Sequence, residues 1–227
     1  MRLDKFICKS TELSRPDARG VIHAGEIFVN GEVITDAATQ VHENNRITLA
    51  GQPLIARPSR YLMMHKPPGT LCSNLDGAYP SLFRWLDIDR AEDLHIVGRL
   101  DADTTGLVLL TDDGRWSFNI IRPQQQCEKT YRVGLRDPLA DDVAERFARG
   151  LLLQGETAPT LPARLEPVGP REVLLTITEG RFHQVKRMFS AVGNRVIGLH
   201  REQIGKVRLD VPSGQWRHLT TDEVDCF

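Results

Sequence analysis

The chain has 227 residues, enough for one sizeable core and a small appended module. Charged residues make up 26% and apolar residues 41%, and 29 basic against 30 acidic side chains leave a net charge of -1, which excludes a uniformly basic nucleic-acid coat but allows a local basic face. No apolar run is long enough to span a bilayer, and the four scattered cysteines (Cys8, Cys72, Cys127, Cys226) form no CxxC pair and no zinc-like spacing. The start, Met1-Arg2-Leu3-Asp4-Lys5, carries an acidic residue and no long apolar stretch, so a cytoplasmic chain with reduced thiols, no secretory signal and no membrane association is expected.

Residues 1 to 57 read as a compact α/β module. Leu3, Phe6 and Ile7 have helical spacing, and Ser14 starts a second helix with Asp17 in the acidic position of a capping box. Ala18, Val21 and Ile22 form its apolar face and leave Arg15 and Arg19 one turn apart. Glu26 to Val29 reads as a strand, Asn30-Gly31 as a type I′ turn into Glu32-Val33-Ile34, and Ile47 to Leu49 as a further strand. The Pro- and Gly-containing stretch from Gly51 to Pro58 reads as a seam, with the second domain taken from residue 58.

Beyond the seam a larger mixed domain is predicted. Strands are expected at Tyr61–Met64, Leu94–Val97, Gly106–Leu110, Lys129–Val133, Ala163–Glu166 and Val173–Ile177, with another starting at Arg195. Helices are expected at Ser81–Leu86, after Asp113-Gly114, after Asp137-Pro138 and at His183–Val192, the last closed by Gly193. Thr220 to Glu223 forms a second capping-box pattern. Many strands with few helices predict an α+β fold with a mixed, mainly antiparallel sheet.

Four groups of residues invite a functional reading. Asp101 sits in Gly98-Arg99-Leu100-Asp101-Ala102-Asp103-Thr104-Thr105-Gly106. In an extended stretch Arg99, Asp101 and Asp103 would point to one side, with Arg99 keeping Asp101 ionised and Asp103 opposing it. The plain alternative is a turn aspartate bonding its own backbone. Gly180-Arg181-Phe182-His183-Gln184-Val185-Lys186-Arg187 opens a basic helix whose start suits an anion. His183 and Lys186 share a face, and Arg201 and Lys206 add charge nearby in sequence; the alternative is a solvated helix packing through Val185, Met188 and Phe189. Tyr131 is either core or a ring for stacking on a base. In the small module Arg2, Lys5, Arg15, Arg19 and Asn30 can form an RNA-backbone surface, although its seven basic residues are matched by seven acidic ones, so only clustering supports that reading. Lys66-Pro67-Pro68-Gly69 is no P-loop, and no histidine set suggests a metal.

In chain order, the small module, Lys66-Pro67-Pro68-Gly69, Gly98-Arg99-Leu100-Asp101 with Thr105-Gly106-Leu107, Glu128-Lys129-Thr130-Tyr131, and the Gly180 to Met188 run together resemble the RsuA branch of the pseudouridine synthases over nearly the whole length. The resemblance implies an S4-like RNA-binding domain (1–57) followed by a pseudouridine synthase domain (58–227) with a central catalytic cleft. It implies Asp101 as the catalytic aspartate, Tyr131 as the ring that stacks on the target base, and Lys186 as the cation paired with the aspartate. Arg99, Leu199, Arg181, His183 and Gln184 are expected to bind substrate. No metal or cofactor is implied. The implied partner is 16S rRNA, as a ribonucleoprotein assembly intermediate, acted on by a monomer. Two rivals stand beside this reading: a 23S rRNA or tRNA target, and a non-catalytic RNA-binding or assembly factor. A hydrolase built on Asp101 and His183 is a third.

Overall fold

The computed structural model describes residues 1–227. The contacts divide the chain into two units, Met1–Pro58 and Ser59–Phe227.

The first unit contains α1 (Leu3–Ser10), α2 (Arg15–His23), β1 (Ile27–Val29), β2 (Glu32–Val33), β3 (Ile47–Leu49) and β4 (Gln52–Pro53). The strands form an antiparallel sheet in the order β2-β1-β3-β4. Leu3 and Ile7, one turn apart, meet Ala18 and Ile22 of α2 and Ile27 and Ile47 of the sheet in one core. Ser14 caps α2 by accepting from the Asp17 N–H, but Asp17 accepts from the Ser14 hydroxyl at 2.5 Å, so the predicted box is only half formed. Asn30 and Gly31 both have positive φ, 53° and 91°, as a type I′ turn requires. Ala50 and Gly51 repeat that geometry and start β4, so the stretch read as a seam begins as a hairpin.

The second unit contains β5 (Tyr61–Lys66), β6 (His95–Val97), β7 (Thr105–Thr111), α3 (Gly114–Ile121), β8 (Lys129–Leu135), α4 (Val143–Arg149), β9 (Arg164–Gly169), β10 (Glu172–Ile177), α5 (Gln184–Ala191), β11 (Val196–Ile204), β12 (Val207–Arg208), β13 (Trp216–His218) and α6 (Thr221–Asp225). The predicted helix at Ser81 is a single 3-10 turn, Leu82–Trp85, capped by the Ser81 hydroxyl. The main path of the nine-stranded sheet runs β13-β5-β7-β11-β8-β10-β9, with β12 on β11 and β6 on β7. Every pairing is antiparallel except β7 with β11.

That exception shapes the domain. β7 pairs with β11 only at Thr105 and Gly106, and with β6 at Leu109, Leu110 and Thr111. The sheet therefore forks beside Leu107, and the 98–104 loop lies at the fork. Gly106 is required there: its φ is +110°, and a Cβ would collide with the Arg201 backbone. One core includes Met64, Val108 and Val133 together with Phe147 of α4 and Phe189 of α5; the other includes Met63, Leu107, Leu109 and Ile204 with Trp116 of α3.

One predicted helix start shifts and one predicted cap forms as expected. The helix expected after Asp137-Pro138 starts only at Val143. Asn194 competes for the earlier backbone, accepting from the Asp137 N–H and donating to its carbonyl, which holds the segment against a neighbouring loop. At the other end of the chain, Thr220 and Glu223 form both bonds of the capping box of α6.

A buried charge organises the first unit. The Asp4 side chain is fully buried, and the guanidinium groups of Arg2, Arg15 and Arg19 reach it at 3.1, 3.4 and 3.3 Å. Burial by itself would raise the Asp4 pKa; hydrogen bonds from Arg2 and Arg19 and the charge of Arg15 outweigh it and hold the carboxyl at about 2, against an ordinary 3.8. A shift of that size is worth about 2 kcal/mol. Because the folded pKa lies below the unfolded one, this stabilisation is complete above about pH 4 and is lost as the pH falls toward 2. Hydrogen exchange of α1 and α2 amides as a function of pH should show protection falling through that window in the wild-type chain. Asp4→Asn should lower protection at neutral pH and flatten the acid limb.

Candidate active site

The Asp101 loop is built from behind by two buried cations. Lys66, at the end of β5, is fully buried, and its Nζ donates to the carbonyls of Pro67, Ala102 and Thr104 at 3.1, 3.0 and 2.8 Å. Burial pushes its pKa down. The Gly69 N–H donates to the Ala102 carbonyl at 2.9 Å, so the Lys66-Pro67-Pro68-Gly69 turn braces this loop instead of holding a phosphate. Arg201 of β11 is 1% exposed. It donates to the Leu107 carbonyl at 2.7 Å, to the Gly98 carbonyl at 3.0 Å and to the Tyr131 hydroxyl at 3.4 Å. The sequence places Arg201 only as positive charge near the Lys186 motif and gives Lys66 no role at the loop. A lone arginine in a strand carries no local sign that it fills a fork in the sheet.

The loop is not extended. The Thr104 N–H donates to the Asp101 carbonyl at 3.1 Å and closes a turn over residues 101–104. This overturns the expected pairing of Arg99 with Asp101: Arg99 is exposed and lines the cavity, while Asp101 takes its cation from α5. Lys186 Nζ donates to Asp101 Oδ2 at 3.0 Å and to Asp103 Oδ1 and Oδ2 at 2.7 and 2.9 Å. Burial opposes the Lys186 charge, but the hydrogen bonds to Asp103 and Asp101 outweigh it and raise its pKa. The Lys186 hydrogen bond in turn lowers that of Asp103. His183 Nε2, from the residue that precedes α5, lies 3.4 Å from Asp101 Oδ1, so both carboxylate oxygens are reached from the start of α5.

The loop, β8, β11 and α5 enclose a cavity of about 210 Å3 whose lining includes Arg99, Asp101, Tyr131, His183, Lys186, Leu199 and Arg201. Tyr131 and Arg201 face each other in the β8–β11 register, and the Arg201 guanidinium lies 5.9 Å from the centre of the Tyr131 ring. Leu199 is two residues before Arg201 and shares its face of β11. Arg181 and Gln184 also line the cavity, but both are engaged in holding it. Arg181 donates to Glu179 and to the carbonyls of Ala158 and Pro159. Gln184 is buried, accepts from the Arg181 N–H and donates to Glu179.

The arrangement puts a half-exposed carboxylate, a cation on one of its oxygens and an aromatic face around a space for a flat ligand. In the first unit, Arg2, Arg15 and Arg19 place three cations around one anion and remain 42%, 58% and 47% exposed. Lys5 is partly buried beside them on α1. The Asn30 carboxamide oxygen accepts from the Arg46 N–H, which commits that oxygen to the β1–β2 turn.

Known proteins match both units. The family model for RNA pseudouridylate synthase matches residues 60–191, and that for the S4 domain matches residues 1–47. A Vibrio cholerae protein named ribosomal small subunit pseudouridine synthase A is 49% identical over 226 residues, covering 99% of this chain and 98% of its own. A protein of the same name from Escherichia coli (strain K12) is 48% identical over 227 residues, with the same coverage. A solved structure described as a pseudouridylate synthase superposes with a TM-score of 0.73 at 45% identity, covering 99% of this chain and 98% of that one. Similarity of this extent across an S4 domain and a mixed-sheet catalytic domain shows that the chain belongs to the RNA pseudouridylate synthase family and is an enzyme that isomerises uridine to pseudouridine.

Proposed function

We propose that the substrate is a uridine of small-subunit 16S rRNA and that Asp101 carries the chemistry. The reaction breaks the N1–C1′ bond, turns the base, joins C5 to C1′, and releases the C5 proton while N1 takes one up. Uridine and pseudouridine are isomers, so no electrons are gained or lost. A uridine within a helix must first leave its stack, at a cost of a few kcal/mol. The observation that carries the assignment is the Asp101 carboxylate at the cavity wall, with Lys186 on one oxygen and His183 beside the other. A carboxylate there can attack C1′ or take a proton from the sugar, and Lys186 balances its charge in either route.

Tyr131 serves as the stacking face for uracil. Arg201 donates to its oxygen, so the phenolic proton is directed away from the guanidinium. Leu199 supplies an apolar wall, and Arg99 at the rim is the cation available to the RNA backbone. Arg181 and Gln184 act as positioning residues. The Arg2, Arg15 and Arg19 cluster, with Lys5, offers the first unit's phosphate-binding face, with Asn30 in the nearby hairpin. The reading takes the enzyme to act as a monomer. No helix is long and apolar enough to cross a membrane. The reading extends to a cytoplasmic enzyme working on an assembling ribonucleoprotein. The 16S target is supported by the names of the relatives.

Asp101→Asn should reduce pseudouridine formation by roughly a thousandfold while leaving the RNA dissociation constant nearly unchanged. Turnover near the wild-type rate in that variant would contradict the assignment. The target is tested separately by mapping pseudouridine across the rRNA and tRNA of cells lacking the gene. Loss of one 16S position is expected, and loss in 23S rRNA or tRNA with 16S intact would refute the substrate.

A further inference from the structure

Two exposed aromatic rings belong to segments whose neighbouring residues line the cavity, and neither is used in the chemistry above. Phe182 is 75% exposed, and its ring stacks on His183 with centroids 3.8 Å apart and planes 21° apart. His183 holds a left-handed backbone (φ 48°), a conformation costly for a residue with a side chain, and itself lines the cavity beside Asp101. The second ring is Phe118 of α3, 56% exposed, with the Arg122 guanidinium 5.6 Å from its centre. Ile121 and Pro123, on either side of Arg122, line the same cavity.

We propose that Phe182 and Phe118 are stacking platforms for the nucleobases that flank the target uridine, holding single-stranded RNA across the cavity mouth while the target base occupies it. The proposal rests on the reading of this chain as an rRNA-modifying enzyme and adds where the neighbouring nucleotides sit. Each ring keeps an open face for a base. Each has a cationic or imidazole partner behind or beside it, which suits a base attached to a phosphate backbone better than an apolar protein surface. Stacking on an aromatic side chain is tolerant of base identity, so these residues contribute grip on the strand, and they do not read its sequence.

The test uses the full-length chain and rRNA labelled with tritium at uridine C5, since isomerisation releases that label as water. Phe182→Ala and Phe118→Ala should each raise KM about tenfold, with kcat within about twofold of wild type. Both side chains are exposed, so the melting temperature should not move. Phe182→Trp should restore KM, whereas Phe182→Leu should remain as weak as alanine, because it keeps apolar bulk and loses the ring. Unchanged KM in both alanine variants would overturn the proposal. So would rescue by leucine equal to that by tryptophan, or a fall in kcat with KM unaltered. Failure of the wild-type chain to release tritium from rRNA is a distinct result, and it would overturn the substrate reading itself.

Discussion

A single buried guanidinium sits where the catalytic domain's sheet divides. β7 leaves β11 after Gly106 and meets β6 at Leu109, so the Leu107 carbonyl faces a gap. Arg201 fills that gap, taking the Leu107 carbonyl on one side and the Gly98 carbonyl, at the root of the Asp101 loop, on the other. Unpaired buried carbonyls would be costly, and so would a buried charge without acceptors. Each removes the other's penalty. The same side chain reaches the Tyr131 hydroxyl, so the position of the loop and that of the aromatic face are set by one group.

Lys66 does the corresponding work at the far side of the loop, and its charge is spread over three carbonyls. Between these braces the 101–104 turn presents Asp101 and Asp103 to one lysine of α5. A carboxylate that must react cannot be fixed by so many bonds that it becomes inert. Here its two oxygens meet only the ends of Lys186, in α5, and His183, just before it, and the start of that helix is secured by Gln184 and Glu179. Rigidity lies in the second layer of contacts, and the reacting group itself remains half open to the cavity.

Local chemistry made much of this legible in the sequence. The Asn30-Gly31 turn, the Thr220 capping box and the α5 boundary at Gly193 follow from backbone preferences of a few adjacent residues. Asp101, His183 and Lys186 stood out because their motifs combine charge with glycine turns. Non-local pairing hid the rest. The burial of Arg201 depends on a two-residue parallel contact with a strand about 95 positions earlier. The helix expected after Asp137 is shortened by an asparagine 57 residues away. β12 and β13 are two and three residues long and exist only through their partners. Arg99 was read as the partner of Asp101, but the cation on that carboxylate is Lys186, 85 residues later in the chain.

Catalysis depends on the fork geometry that Arg201 sets, beyond its charge alone. Arg201→Lys keeps the charge but cannot span the Leu107 and Gly98 carbonyls with a planar fork. The most direct measurement is kcat for this variant on saturating rRNA, with folding checked by circular dichroism. A fall of roughly a hundredfold with RNA affinity and fold intact is expected, as for a catalytic group displaced by about an ångström. A wild-type kcat in Arg201→Lys would contradict the account.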